Sequence, residues 1–233
     1  MREAWGFLTI LGGATPPTRR AWRWFPLVGA VIGALVGTVW WATGEVLAAL
    51  PAAACAVAAD LALTGMLHVD GLADSADGLL SHAERARRLE IMRRPEIGAY
   101  AVAVVVVVLI ARVAAFSARP ASVVLVIALW CASRTVAAVA PAWLPYAREE
   151  GLASDMLGGR AQHWPALFLF AAGAIAWLGI GIAGAAAVAG VVLVAAAVLL
   201  LARSRLGGFT GDVLGAAILL GETVGLLVAG ARW

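Results

Sequence analysis

Apolar residues fall along this chain in long unbroken runs, not at the three- to four-residue spacing of a soluble helix. The first runs from Pro26 to Leu67. A membrane helix needs about 20 apolar residues to cross roughly 30 Å of hydrocarbon, so this run is too long for one crossing. Pro51 interrupts it, which predicts spans near 26–49 and 52–68. Two further runs, 98–118 and 121–140, are divided by Arg119-Pro120. The valine tract 104–108 would suit a strand in isolation. It sits inside a long apolar segment, however, and an open strand in lipid leaves its backbone unsatisfied, so a helix is predicted. From Pro165 to Ala202 no residue is charged. As one helix this stretch would be about 57 Å long, nearly twice the hydrocarbon core. A turn near Gly181–Gly184 is therefore expected, giving spans near 165–182 and 184–202, with a last span near 213–230. The pattern predicts an all-α fold: one integral membrane domain over 1–233, a polytopic bundle of about seven transmembrane helices.

Composition narrows the class further. Of 233 residues, 63% are hydrophobic and 13% charged, against roughly 45–50% and about 25% in soluble domains. Mean hydropathy is +0.94. A globule of this size has too little interior to hide so much apolar surface, which excludes an ordinary cytosolic, disordered or fibrous protein. Every one of the 17 basic residues is Arg, and the net charge is +3. These arginines form no stripe on a soluble face, so no nucleic-acid partner is expected. Cys55 and Cys131 lie in apolar runs and read as small buried hydrophobes. No cleavable signal peptide is expected, because no short apolar segment with a cleavage site precedes the first run.

Arginine placement predicts orientation. With the N-terminus inside, the inner segments 1–25, 69–97, 141–164 and 203–212 hold 13 arginines, and the outer side holds only Arg119 and Arg232. Arg112 and Arg134 fall within spans. This is a strong positive-inside bias, and Trp22, Trp24, Trp143 and Trp164 flank inner segments as interfacial tryptophans do. The outer loops are very short, so nearly all polar chemistry is expected on the cytoplasmic face. That asymmetry suits a membrane enzyme with soluble substrates better than a transporter.

The richest inner segment is His68-Val69-Asp70-Gly71-Leu72-Ala73-Asp74-Ser75-Ala76-Asp77-Gly78. If the second helix continues past the bilayer, Asp70, Asp74 and Asp77 share one face. Three carboxylates in two turns repel one another, a cost that makes sense around a divalent cation. Oxygen-only ligands favour Mg²⁺ completed by substrate phosphates. A solvated acidic helix end is the plainer alternative. His68 lies about 200° round the helix from Asp70 and suits a base or a hydrogen-bond partner. Ser81-His82-Ala83-Glu84 has the pattern of a capping box opening a basic helix through Arg85–Met92 that ends before Pro95. Its arginines suit either an anchor on anionic lipid or a counter-charge for phosphate. Gly207-Gly208-Phe209-Thr210-Gly211-Asp212 opens the last span, where Thr210 can cap the helix and Asp212 can be a fourth metal ligand. Of the ionisable residues within spans, Arg134 and Glu222 can back the site, and Asp60 and Arg112 can form a structural pair.

These residues together resemble the cobalamin synthase family, the adenosylcobinamide-GDP ribazoletransferases. The resemblance rests on His68 through Asp74 with Asp77-Gly78, on Phe25-Pro26-Leu27-Val28-Gly29, on Leu89-Glu90-Ile91-Met92-Arg93 with Ile97-Gly98, and on Ser133-Arg134. Ala147-Arg148-Glu149-Glu150-Gly151-Leu152 and Gly207 through Ala216 complete it. Leu219 departs from the pattern, since an acid often stands there; Leu220-Gly221-Glu222 is kept. The resemblance implies a Mg²⁺-dependent enzyme of a bacterial cytoplasmic (inner) membrane. It would join adenosylcobinamide-GDP to α-ribazole, or its 5′-phosphate, in the last steps of vitamin B12 assembly and release GMP. On this reading Asp70, Asp74, Asp77 and His68 are catalytic, and Asp70, Asp74, Asp77 and Asp212 hold the metal. Arg93, Arg134, Arg148, Glu149, Gly208, Thr210 and Gly211 bind substrate. The lipid bilayer is the other partner, and a homo-oligomer is allowed. A CDP-alcohol phosphotransferase is the nearest rival, but Ala73-Asp74 stands where its usual Ala-Arg pair would be; a transporter is the second.

Overall fold

The computed structural model describes residues 1–13, 17–148 and 163–231. Ten α-helices run through them: α1 (Arg2–Leu8), α2 (Phe25–Gly44), α3 (Ala49–Thr64), α4 (Leu67–Leu80), α5 (Arg85–Ile91), α6 (Ala99–Ser117), α7 (Val123–Val139), α8 (Leu167–Ile180), α9 (Ile182–Leu206) and α10 (Gly211–Ala229). Among the described residues the one extended pairing is a single bridge between Tyr146 and Phe209.

Among the described residues, five helical stretches are long and apolar enough to cross a bilayer: Arg19–Gly44, Ala99–Ser117, Val123–Ala142, Ile182–Leu206 and Gly211–Ala229. The bent pair α3–α4 offers a sixth, and Trp164–Ile180 is apolar but shorter. The membrane bundle is thus as expected, whereas the count of seven is not confirmed. The apolar outer faces fit a lipid surround: Val102, Val106, Val107 and Ile110 of α6 and Phe170 and Leu178 of α8 are all exposed.

The second span differs most from expectation. It does not continue into the acidic motif. Helix α3 stops at Thr64, and Gly65 and Met66 both take left-handed conformations, with φ of 58° and 60°. Their N–H groups donate to Ala62 and Leu61 carbonyls, closing the helix end. Helix α4 then leaves at 88°. It packs chiefly against α10 and α6. The 165–202 run breaks as predicted, at Gly181, whose φ is 66°.

The predicted capping box does not form. Ser81 Oγ donates to the Gly78 carbonyl, and α5 begins after Glu84 with no side-chain cap. The basic segment instead closes α4: Arg88 donates to the Gly78 and Leu79 carbonyls, and Arg205 donates to Leu79. Orphan carbonyls at a helix C-terminus favour such cations.

Small residues let the helices meet closely. Gly29, Gly33 and Gly37 of α2 face the α7 backbone, and a methyl group on Gly33 would sit 2.7 Å from the Val126 carbonyl oxygen. At the centre of the bundle four charges neutralise one another. Arg112 donates to Asp60 at 2.7 Å and to Glu222 at 2.8 Å. Arg134 pairs with the other oxygen of Glu222, which also accepts from Ser133. Trp130 Nε1 donates to Asp60 at 2.9 Å. The expected Asp60–Arg112 pair and the two residues expected to back the site, Arg134 and Glu222, are therefore one network. Two cations and two anions sum to zero, as buried charge in a bilayer must nearly do.

Candidate active site

The site forms where α4 lies against the start of α10. Gly71 makes this possible: a methyl group there would lie 2.7 Å from the Asp212 carbonyl oxygen. Gly215 faces the backbone of His68 and Gly71 in turn. Thr210 caps α10 as predicted, accepting from Val213 N at 3.2 Å. The cap fixes Asp212 in the first turn, beside α4. Arg148 reaches Asp212 at 2.7 Å and donates to the Met92 carbonyl at 3.3 Å.

Asp74 is half-buried on α4. Its carboxyl is pushed up to about 7 by burial, then by the charges of Asp212 and Asp70; Arg148 opposes this, and Asp77 adds a smaller push. Crowded carboxylates facing one cation have unmet demand for positive charge, and an all-oxygen donor set suits Mg²⁺. As they stand, no three Asp, Glu, His or Cys side chains among the described residues converge tightly enough to hold an ion. Mg²⁺ is characteristically bound by one or two carboxylates with waters and phosphates filling the remaining positions. Asp70 and Asp212, which line one cavity, supply that number of carboxylates.

Asp77 is used differently. Its carboxylate accepts from Gly98 N at 2.6 Å and Ala101 N at 3.0 Å, capping α6 from another helix. Each of its oxygens thus accepts one backbone N–H, and this position of the acidic motif holds the start of α6.

Beside the carboxylates lies a cavity of about 110 Å³, lined by Asp70, His68, Arg148, Asp212 and Gly211 at its polar side. Phe7, Trp22, Phe25 and Tyr146 line the rest with aliphatic neighbours. Phe7 and Phe25 stack with ring centres 5.9 Å apart, and Trp22 packs on Phe25 at 4.8 Å.

The other expected site residues separate. Arg134 is fully buried in the central network and reaches the site only through His68, whose Nδ1 is 3.5 Å from its guanidinium. Gly208 packs against the Pro145–Ala147 segment, where Phe209 N donates to Pro145 and Ala147 N to Phe209. Arg93 is exposed on the turn after α5. Glu149 lies outside the described residues. The aromatic wall was not singled out as site chemistry by the sequence. Phe7 carries no motif, Trp22 reads as an interfacial residue, and only Phe25 and Tyr146 adjoin segments already marked.

A family model described as cobalamin-5-phosphate synthase matches residues 1–230. Among curated relatives, adenosylcobinamide-GDP ribazoletransferase of Citrobacter koseri is 36% identical over 96% of this chain and 97% of its own. The protein of the same name from Ralstonia nicotianae is 40% identical over 85% of this chain and 79% of its own. That of Bradyrhizobium diazoefficiens is 35% identical over 99% and 93%. No solved structure matches.

Proposed function

Because the chain belongs to the cobalamin-5-phosphate synthase family, we propose that it joins adenosylcobinamide-GDP to α-ribazole or its 5′-phosphate. The products are adenosylcobalamin, or its phosphate, and GMP. The observation that carries this at the site is the meeting of Asp70, Asp74 and Asp212 opposite Arg148, beside a cavity with aromatic walls.

In this reading Asp70, Asp74 and Asp212 would hold Mg²⁺, which supplies positive charge to the pyrophosphate oxygens when bound. Arg148 is placed to donate to the same phosphate group, exchanging its contact with Asp212 for one with substrate. A hydroxyl of the acceptor ribose attacks the phosphorus that carries the cobinamide. The new P–O bond forms as the P–O–P bridge breaks, and GMP leaves with the bridging oxygen. The hydroxyl proton passes to a carboxylate, and Asp70 and Asp212, which both line the cavity, are placed to take it. His68 is not suited to that task. Arginine can only donate, so the Arg134 contact uses Nδ1 as an acceptor and leaves the ring proton on Nε2.

We place this end of the bundle at the cytoplasmic side of the bacterial inner membrane. Both substrates are polar and intracellular, and 13 of 17 arginines lie in segments assigned there. The test is incubation of the protein in nanodiscs with adenosylcobinamide-GDP and α-ribazole, with and without EDTA. Adenosylcobalamin and GMP should appear by mass spectrometry and vanish with chelator, returning with Mg²⁺. Release of CMP from CDP-diacylglycerol and an alcohol, without cobalamin formation, would overturn the reading.

A further inference from the structure

We propose that the aromatic-walled cavity beside α4 seats the heterocyclic base of the acceptor nucleoside, and that His68 Nε2 gives that base its one hydrogen bond. This rests on the activity proposed above and names the part of the substrate that the cavity takes.

The cavity wall carries two kinds of chemistry. Asp70, Asp212 and Arg148 supply charge. Phe7, Trp22 and Phe25 supply aromatic rings. A volume of about 110 Å³ excludes a corrin macrocycle and suits a flat ring system. Stacked and tilted aromatic rings favour such a ligand through its faces.

His68 decides which flat ring. It is 3% exposed, it lines the cavity, and its Nε2 is buried with no hydrogen-bond partner. Buried polar atoms are normally satisfied, so an orphan on a residue that lines a cavity points to a ligand atom. The Arg134 contact at Nδ1 fixes which tautomer faces that ligand: Nε2 carries the hydrogen and donates. Asp70 lies about 200° round α4 from His68. The Nε2–H is thus a donor on a residue of the cavity wall, with no partner of its own.

A benzimidazole riboside such as α-ribazole matches this inventory. Its base has one in-plane acceptor nitrogen, no N–H donor, and otherwise apolar edges. A guanine base would bring an amide N–H and an amino group as well, which the Nε2–H cannot satisfy. With the base so placed, the attached ribose lies toward Asp70 and Arg148, where the phosphate chemistry is proposed.

The test compares α-ribazole with the riboside of 5,6-dimethylindole, in which a C–H replaces the acceptor nitrogen. Binding to the wild-type protein in nanodiscs is measured by calorimetry without corrinoid or Mg²⁺. The indole analogue should bind about tenfold more weakly. His68→Phe should weaken α-ribazole to the analogue's level and leave the analogue unchanged. Phe25→Leu should raise KM for α-ribazole several-fold without moving KM for adenosylcobinamide-GDP. Equal wild-type affinity for the two nucleosides would overturn the proposal, as would an equal loss for both in His68→Phe or a KM shift confined to adenosylcobinamide-GDP. The wild-type comparison requires neither a folded variant nor turnover. It therefore decides this point even if cobalamin formation, the test of the activity itself, fails.

Discussion

Gly71 lies so close to Asp212 that a single methyl group on it would approach the Asp212 carbonyl oxygen to 2.7 Å. That contact sets the separation of α4 from α10, and with it the distance between Asp74 and Asp212. Gly71→Ala should force the helices apart. Overpacking of this kind costs about 1–3 kcal/mol, and turnover should fall more than tenfold. Gly44→Ala, at a position with open space around it, should change neither. Thermal unfolding in detergent and product formation read the two effects separately.

Asp77 and Asp74 should separate by type of defect. Asp77→Ala removes the acceptor of two backbone N–H groups at the start of α6. It should lower stability by about 1 kcal/mol or somewhat more. Asp77→Asn keeps an acceptor and should recover much of that loss. Asp74→Asn should leave the melting temperature at neutral pH unchanged or raised while abolishing Mg²⁺-dependent turnover. Full Mg²⁺-dependent activity in Asp74→Asn would remove that residue from the metal group.

The raised Asp74 carboxyl predicts a pH dependence of stability in metal-free protein. Unfolded, the group titrates near 3.9; folded, it holds its proton up to about 7. Between these values the native state binds more protons than the unfolded state. Stability from this group therefore falls as pH rises from about 4 to about 7. Asp74→Asn should flatten that slope, and Mg²⁺ should restore stability above pH 7 in the wild type only. Denaturation midpoints across the pH range measure both.

Glu222 balances two buried guanidinium groups, Arg112 and Arg134. Glu222→Gln leaves an excess buried positive charge, a change that costs about 3–5 kcal/mol when one partner of a buried pair is removed. The variant should be recovered in poor yield with a lowered melting temperature. A Glu222→Gln protein that inserts and melts like the wild type would show that another group carries the balance.

Membrane class, the turn at Gly181, the Thr210 cap, the Asp60–Arg112 pairing and the acidic motif were legible in the sequence. Each follows from local chemistry: the length of apolar runs, the freedom of glycine at positive φ, the reach of a side chain to its own helix, and the need of a buried charge for a partner. Tertiary structure decided what local pattern could not. Residues i, i+4 and i+7 share a helical face wherever the helix points. Only the 88° break after Thr64 and the close approach at Gly71 determine that Asp74 meets Asp212, while Asp77 turns to the N-terminus of α6. Likewise Phe7, His68 and Tyr146 are far apart in the chain and share no periodicity, and only the packing of α1, the start of α4 and the segment around Tyr146 brings them to one cavity. Sequence spacing specifies directions along an element; packing between elements specifies which groups those directions bring together.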